Sequence, residues 1–465
     1  MTEAPQRLRG RLVSGSSWGL ASTGLRTALG FIAVPLTLSY LGNERMGLWR
    51  LAASVLAIVS MLDAGLVPHL KTRMAAAFAK GDRNTFNVYS STSMFFALCL
   101  LALGLVAIVV APLVPWQWLL NVKESVAVSE TLPLVMVMLG CSFSQFASNF
   151  ILSVCDARMD VTRPRVYATA ASVAGFGMLL VGIRLRVSLP WLAFLTASPN
   201  VLARLPLLWR LLREDVAMVR PRLAAVLPVL GEVLAAGALS ISIQLLNTVL
   251  SSAPNFLVGW YLGLADVTTF SVSYQLASIP LAAIGAVVPV FWPAFTMAWT
   301  HGQKHRLRRW MVLSVCGTAG ALGIYAVGLA TLGVWFISVW THGRVQADWV
   351  VLAVLGAFVV VQGCLNWLST FMWSIGALWI QLLTQLAACA LLVLICLFWL
   401  PAGGMLAIAV ALLVAVVVGT LVPMLARMVY ELRDKPGDGR LPQGPQAGNS
   451  AALESCEPAP PGGTQ

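Results

Sequence analysis

Chemistry has few places to reside in this chain, and the two most distinctive are arginines. Arg26 stands near the middle of the apolar stretch Trp18–Tyr40, and Arg50 lies one turn into the next, Met46–Leu66. An arginine at the centre of a membrane helix costs roughly 2.5–3.5 kcal/mol on insertion scales. Arg26 is therefore expected to face a cavity or a partner, whereas Arg50 is near enough to an end to snorkel. Guanidinium forks match carboxylate and phosphate oxygens bidentately, so the chemistry on offer is anion binding. Amides accompany them. Gln145 and Asn149, four residues apart in Leu132–Val154, share a helical face; Gln244, Asn247, Asn255, Tyr274 and Gln275 follow in the second half. In an apolar surround such groups either tie helices together or line a polar cavity. Cations with amides suit an anionic, hydroxyl-rich cargo, and a central acid for a cation or proton is lacking: Asp63, Asp156 and Glu232 all fall near span ends.

The elements that must hold these groups are membrane helices. Hydrophobic residues make up 59% of the 465 and charged ones only 10%, with a mean hydropathy of +0.84. A soluble domain carries about 25% charged residues, so a water-soluble fold would lack polar surface. About twelve spans are expected: Trp18–Tyr40, Met46–Leu66, Ser91–Leu113, Leu132–Val154, Tyr167–Gly182, Leu189–Trp209, Val229–Trp260, Thr269–Ala294, Met311–Val339, Val350–Trp373, Leu378–Leu400 and Met405–Met428. The net charge of +12 is topogenic rather than a nucleic-acid footprint. Alternate loops and the N-terminus collect Arg7, Arg9, Arg11, Lys71, Arg73, Lys80, Arg83, Arg158, Arg163, Arg165, Arg210, Arg213, Arg220, Arg222, Lys304, Arg306, Arg308 and Arg309. The opposite loops hold only Arg45, Lys123, Arg184, Arg186 and Arg344. The positive-inside rule then puts both termini in the cytoplasm. No cleavable leader is expected, and Pro-, Gly- and Ser-rich Lys435–Gln465 reads as a disordered tail. Seven of eight cysteines fall in spans or, for Cys155, at the edge of one, without a C-x-x-C, and His301 and His305 sit among Lys304, Arg306, Arg308 and Arg309; neither metal nor cofactor is expected.

The chain also repeats itself. Tyr40-Leu41-Gly42 returns as Tyr261-Leu262-Gly263, a shift of 221 residues. At that same shift Pro68 meets Pro289, Gly81 meets Gly302, and Lys80 and Arg83 meet His301 and Lys304. In both copies a span, the turn, a second span and a basic amphipathic loop follow in order. Six spans per half give both halves one orientation, with a pseudo-twofold along the membrane normal and a cavity between lobes. The expected division is residues 1–13 as a cytoplasmic N-terminus, 14–210 as the first lobe, 211–228 as a linker, 229–430 as the second lobe and 431–465 as a tail. Pro35 and Pro254, in the first helix of each half, are candidate gating bends. Position 26 shifted by 221 is Asn247, so the second lobe carries an amide where the first carries a cation.

The segment from Tyr40 to Ser93 resembles the opening of bacterial polysaccharide (O-antigen-type) flippases of the multidrug/oligosaccharidyl-lipid/polysaccharide (MOP) superfamily. The matching residues are Tyr40-Leu41-Gly42, Glu44, Gly47-Leu48-Trp49, Leu62-Asp63-Ala64-Gly65-Leu66, and Lys80-Gly81-Asp82 ahead of Tyr89-Ser90. The resemblance implies an all-α, MATE-like pair of six-helix bundles around a V-shaped cavity in the inner membrane. It further implies alternating access that flips an undecaprenyl-pyrophosphate-linked oligosaccharide to the outer leaflet, with Arg26 and Arg50 holding the pyrophosphate. Membrane lipids, a polysaccharide polymerase and chain-length proteins would be its partners. Rival readings each miss a feature. A cation-coupled multidrug exporter of the same superfamily would place a central acid. A major-facilitator carrier would place Gly81-Asp82-Arg83 directly after the second span. A membrane polymerase, ligase or glycosyltransferase would need a large outer loop or an acidic pair.

Overall fold

The computed structural model describes residues 5–59, 66–122, 125–158, 162–214 and 223–433. Asp63, Lys123, part of the linker (215–222) and the tail from 434 onward lie outside them. Every regular element among the described residues is helical. We number the α-helices α1 (Pro5–Val59), α2 (Leu66–Lys80), α3 (Arg83–Val110), α4 (Trp116–Leu119), α5 (Ser125–Ala157), α6 (Thr162–Arg184), α7 (Leu189–Leu202), α8 (Leu205–Glu214), α9 (Leu223–Tyr261), α10 (Leu264–Val287), α11 (Trp292–Thr300), α12 (Lys304–Trp340), α13 (Trp349–Ser374), α14 (Leu378–Val416) and α15 (Val422–Leu432).

Ten helical stretches among these residues are long and apolar enough to cross a bilayer. Two of them, Gly24–Ala57 and Leu378–Leu432, each contain a glycine off helical geometry: Gly42 at φ 76° and Gly404 at φ 56°. Counting each of those as two crossings brings ten to about twelve. The outward side chains agree with a lipid solvent, since Phe398 is 85% and Ile324 78% exposed on long apolar helices.

The internal repeat is visible in the turns. Gly42 and Gly263 both have positive φ (76° and 116°), and so do Gly81 and Gly302 (71° and 67°). A side chain at such a conformation clashes with its own backbone, which is why glycine recurs there. At Gly81 the amide donates to Phe78 O and the next amide to Ala77 O, at 3.1 and 3.0 Å; at Gly302 the same two bonds run to Trp299 O and Ala298 O, at 3.0 and 2.9 Å. Each of those donor and acceptor positions is related to its counterpart by 221 residues. α3 and α12 then begin at Arg83 and Lys304, again 221 apart.

Three expected boundaries move. The basic segment before residue 81 is not a loop but the helix α2, because nothing breaks the chain until Gly81. The third span begins at Arg83 rather than Ser91, since Asp82 caps it by accepting from the Thr85 amide at 3.0 Å. The sixth span, expected as one helix over Leu189–Trp209, parts at Ala203–Arg204 into α7 and the strongly amphipathic α8. Pro206 opens α8, where a proline needs no amide partner. Pro35 lies inside α1 and Pro254 inside α9.

Candidate functional site

A cavity of about 430 Å³ opens within the first half of the chain. The first part of α1 supplies Arg26, Gly30, Ala33 and Thr37, spaced as one helical face. Beyond the Gly42 break, the same helix turns back with Met46, Trp49, Arg50 and Ala53. α6 adds Ser172, Gly175, Phe176 and Leu179, α7 adds Thr196 and Asn200, and α10 of the second half contributes Gln275. A short α6–α7 separation helps shape this wall: a Cβ on Gly175 would stand 2.8 Å from Thr196 O.

Its chemistry is cationic with hydroxyl and amide accents. Arg26 is exposed to the cavity and has no hydrogen-bond or ion-pair partner among the described residues. Arg50 donates from Nη2 to Gln275 Oε1 at 2.7 Å, and Gln275 Nε2 reaches Gly30 O at 3.5 Å. The Thr37, Ser172 and Thr196 hydroxyls donate to carbonyls one turn earlier on their own helices, at 2.8, 2.9 and 3.0 Å. Toward a ligand these oxygens therefore serve as acceptors. None of the lining residues is acidic.

Arg26, Arg50 and Gln275 are thus brought together, and the other sequence-level candidates lie elsewhere. Asn255 donates to Ser54 Oγ at 2.9 Å, joining α9 to α1. Tyr274 packs between Phe270 and Phe358, with ring centroids 6.0 and 5.9 Å away. Gln244 is exposed on α9, Asn247 is half-buried there, and neither lines the cavity. Gln145 and Asn149 bind a residue that the sequence reading passed over: Arg204 donates from Nη1 to Asn149 Oδ1 at 2.9 Å and to Gln145 O at 3.0 Å. The overlooked signal was plain, a cation inside the apolar stretch Leu189–Trp209. The neutral wall of Ser172, Thr196 and Asn200 offered no comparable signal.

The cavity also differs from the central, interlobe one expected, because the two halves are drawn together at both ends. At the end bearing Gly42 and Gly263, Asn43 Nδ2 donates to Arg344 O at 3.1 Å and Trp340 Nε1 to Phe31 O at 3.2 Å. Trp340 also stacks on Phe31 at 4.0 Å, and the Thr268 hydroxyl donates to Asn43 O. Asn121 Nδ2 reaches Trp260 O at 2.7 Å. At the opposite, basic end Glu232 of α9 meets Arg73 of α2 in an ion pair and accepts from Tyr89 of α3 at 3.1 Å. His69 stands near the same carboxylate at 3.7 Å; burial and then the Arg73 charge push its pKa below the ordinary value, against the pull of Glu232.

Comparison with known proteins agrees with this architecture. A sequence profile for a family described as "Polysaccharide biosynthesis protein" matches residues 201–339. No curated protein sequence matches the chain significantly. Among solved structures, the chain is similar to a multidrug resistance MATE family transporter of the MOP superfamily in an inward-facing conformation, with TM-score 0.71, 17% identity, and 87% of this chain and 95% of that one covered. It is also similar to the lipid II flippase MurJ in an inward closed conformation, with TM-score 0.67, 12% identity, and coverage of 90% and 87%. A third similar structure is that of a MOP superfamily transporter from Pyrococcus furiosus, with TM-score 0.63, 17% identity, and coverage of 91% and 96%.

Proposed function

We propose that this chain, a polysaccharide-type transporter of the MOP superfamily, carries a lipid-linked oligosaccharide from the cytoplasmic to the outer leaflet of a bacterial inner membrane by alternating access. The observation that carries the reading is the pair Arg26 and Arg50 on the wall of a cavity whose lining residues include no carboxylate. Such a wall attracts a phosphate or pyrophosphate and disfavours the organic cation of a multidrug exporter. Thr37, Ser172, Thr196 and Asn200 add groups that suit sugar hydroxyls. A headgroup of a phosphate and one or two sugars fits about 430 Å³, and the lipid tail and remaining sugars would stay outside.

Orientation follows from loop charge: the end with Lys80, Lys304, Arg306, Arg308 and Arg309 is the cytoplasmic one. The bonds from Asn43, Thr268 and Trp340 then close the outer end. On this reading the repeats 14–210 and 229–430 are the two rocking lobes, with Pro35 and Pro254 as bends within their first helices. A surface-polysaccharide polymerase and chain-length proteins would receive the product. The direct test is reconstitution in proteoliposomes with a fluorescent undecaprenyl-pyrophosphate oligosaccharide, scored by leaflet-specific enzymatic access. Translocation by the wild type and loss in Arg26→Ala is the expected result. Robust efflux of organic cations with no movement of the lipid-linked sugar would overturn the proposal.

A further inference from the structure

The seam at the basic end holds an arrangement with one buried polar group left unserved. Arg73, Tyr89 and His69 converge from α2 and α3 on one carboxylate, Glu232 of α9. Glu232 Oε1 pairs with Arg73 and Oε2 accepts from Tyr89. His69 is left over: its Nε2 is buried without a hydrogen-bond partner, 3.7 Å from Oε1 and beyond bonding distance. The carboxylate has lone pairs to spare, so it is its position, turned toward Arg73 and Tyr89, that leaves His69 unserved. A phosphate has more acceptor oxygens, arranged tetrahedrally, and carries more charge.

The pair is also open to exchange. The side chains of Arg73 and Glu232 are 48% and 40% exposed, so their attraction is screened and weak. The partners come from different halves of the repeat, with Arg73, Tyr89 and His69 in the first and Glu232 in the second. Whatever takes Glu232's place on the cation therefore loosens the seam at that end.

We infer that Arg73, His69 and Tyr89 form a loading site for the phosphate headgroup of a polyprenyl-linked cargo, and that Glu232 is a built-in competitor that closes the seam while the site is empty. The inference rests on the proposed function and adds a second anion site at the mouth, separate from Arg26 and Arg50 in the cavity. The incoming phosphate displaces the Glu232 carboxylate, gains Arg73 and Tyr89 as donors and reaches His69. The seam then parts, and the headgroup passes inward to the cavity arginines.

Binding of farnesyl diphosphate to the detergent-purified full chain tests this, with inorganic pyrophosphate and phosphatidylglycerol vesicles as parallel probes. Glu232→Gln removes the competitor and should tighten farnesyl diphosphate binding about tenfold, equivalent to about 1.4 kcal/mol. Arg73→Gln placed on top should erase that gain. Arg73→Gln alone separates a loading site from a mere latch: it also breaks the seam pair, and should weaken binding rather than tighten it as Glu232→Gln does; equal tightening by both variants would overturn the inference. Unchanged affinity in a Glu232→Gln protein of normal thermal stability would overturn the inference. An equal gain for pyrophosphate would overturn the assignment to a lipid, and an equal gain for phosphatidylglycerol the assignment to this cargo. If the wild type flips lipid-linked sugar while Glu232→Gln gains no affinity, the loading site falls and the proposed function stands. The reverse pattern separates them in the other direction.

Discussion

Gly47 offers the sharpest perturbation of the seam at the end bearing Gly42 and Gly263. It lies on α1 just beyond the Gly42 break, against the start of α10. A Cβ built there would stand 1.9 Å from Leu264 O, 2.7 Å from its carbonyl carbon and 3.1 Å from its Cα. These are backbone atoms at a helix start, so no side chain can swing aside. Ordinary contact begins near 3.4 Å, so Gly47→Ala requires the two helices to part by about 1.5 Å, a strain of roughly 1–3 kcal/mol by analogy with overpacked cores. That displacement would take the Arg50–Gln275 bond from 2.7 Å to beyond hydrogen-bonding range, and the Thr268–Asn43 bond lies in the same seam. The expected outcome is a lower melting temperature in detergent and faster labelling, from the outside, of a cysteine at Thr37, which is 4% exposed in the closed state. Gly177→Ala is the control, since a Cβ there meets nothing within 4 Å. A Gly47→Ala protein with wild-type melting and unchanged Thr37→Cys labelling would refute the claim that α1 and α10 are held this closely.

Three further outcomes are expected. Arg26→Ala should reach normal membrane abundance but lose transport, while Arg26→Lys recovers part of it, because lysine keeps the charge without the fork; abundance and surface glycan measured together check this, and full transport would remove Arg26 from the site. Cysteines at Gln346 should label from outside and those at Gly81 and Gly302 should not; the reverse pattern would invert the proposed orientation and direction. Arg204→Ala should lower abundance rather than transport per molecule, as it removes two bonds that tie the α7–α8 junction to α5, each worth about 1.5–3 kcal/mol for a charged donor; normal abundance with reduced turnover would place Arg204 on the transport path.

What could be read in advance were features with a local cause. The turns at Gly42, Gly81, Gly263 and Gly302 announce themselves because positive φ admits little but glycine, and their common offset exposes the duplication. Arg26 was legible because a cation in an apolar helix is costly wherever it points. The rest depends on partners distant in the chain. Gln145 and Asn149 looked equally fit for ligand or structure until Arg204, 55 residues from Asn149, was seen to hold them. Asn255 became a tie between halves only through Ser54, 201 residues away. The cavity wall from α6 and α7 carries no charge, and an apolar helix with a serine or threonine gives no sign of which face is wet.

Arg50 joins the cavity, the proposed binding site, to the contact between the halves. Its guanidinium donates to Gln275, a residue of α10, while Arg26, on the opposite arm of the same bent helix, has no such tie among the described residues. Arg26 is therefore the cation available to a headgroup while the seam remains intact, and Arg50 becomes fully available only by releasing Gln275. An anion that gains both arginines must trade the Arg50 bond to a neutral amide oxygen for one to an anionic oxygen, in which both partners are charged, which is the stronger of the two. On the proposed function, that difference would bias the α1–α10 contact toward parting with cargo bound and toward closure without it. A ligand shifts a conformational equilibrium only through such differential affinity, and the proposed function places that differential in the one residue, Arg50, that both lines the cavity and bonds across the seam.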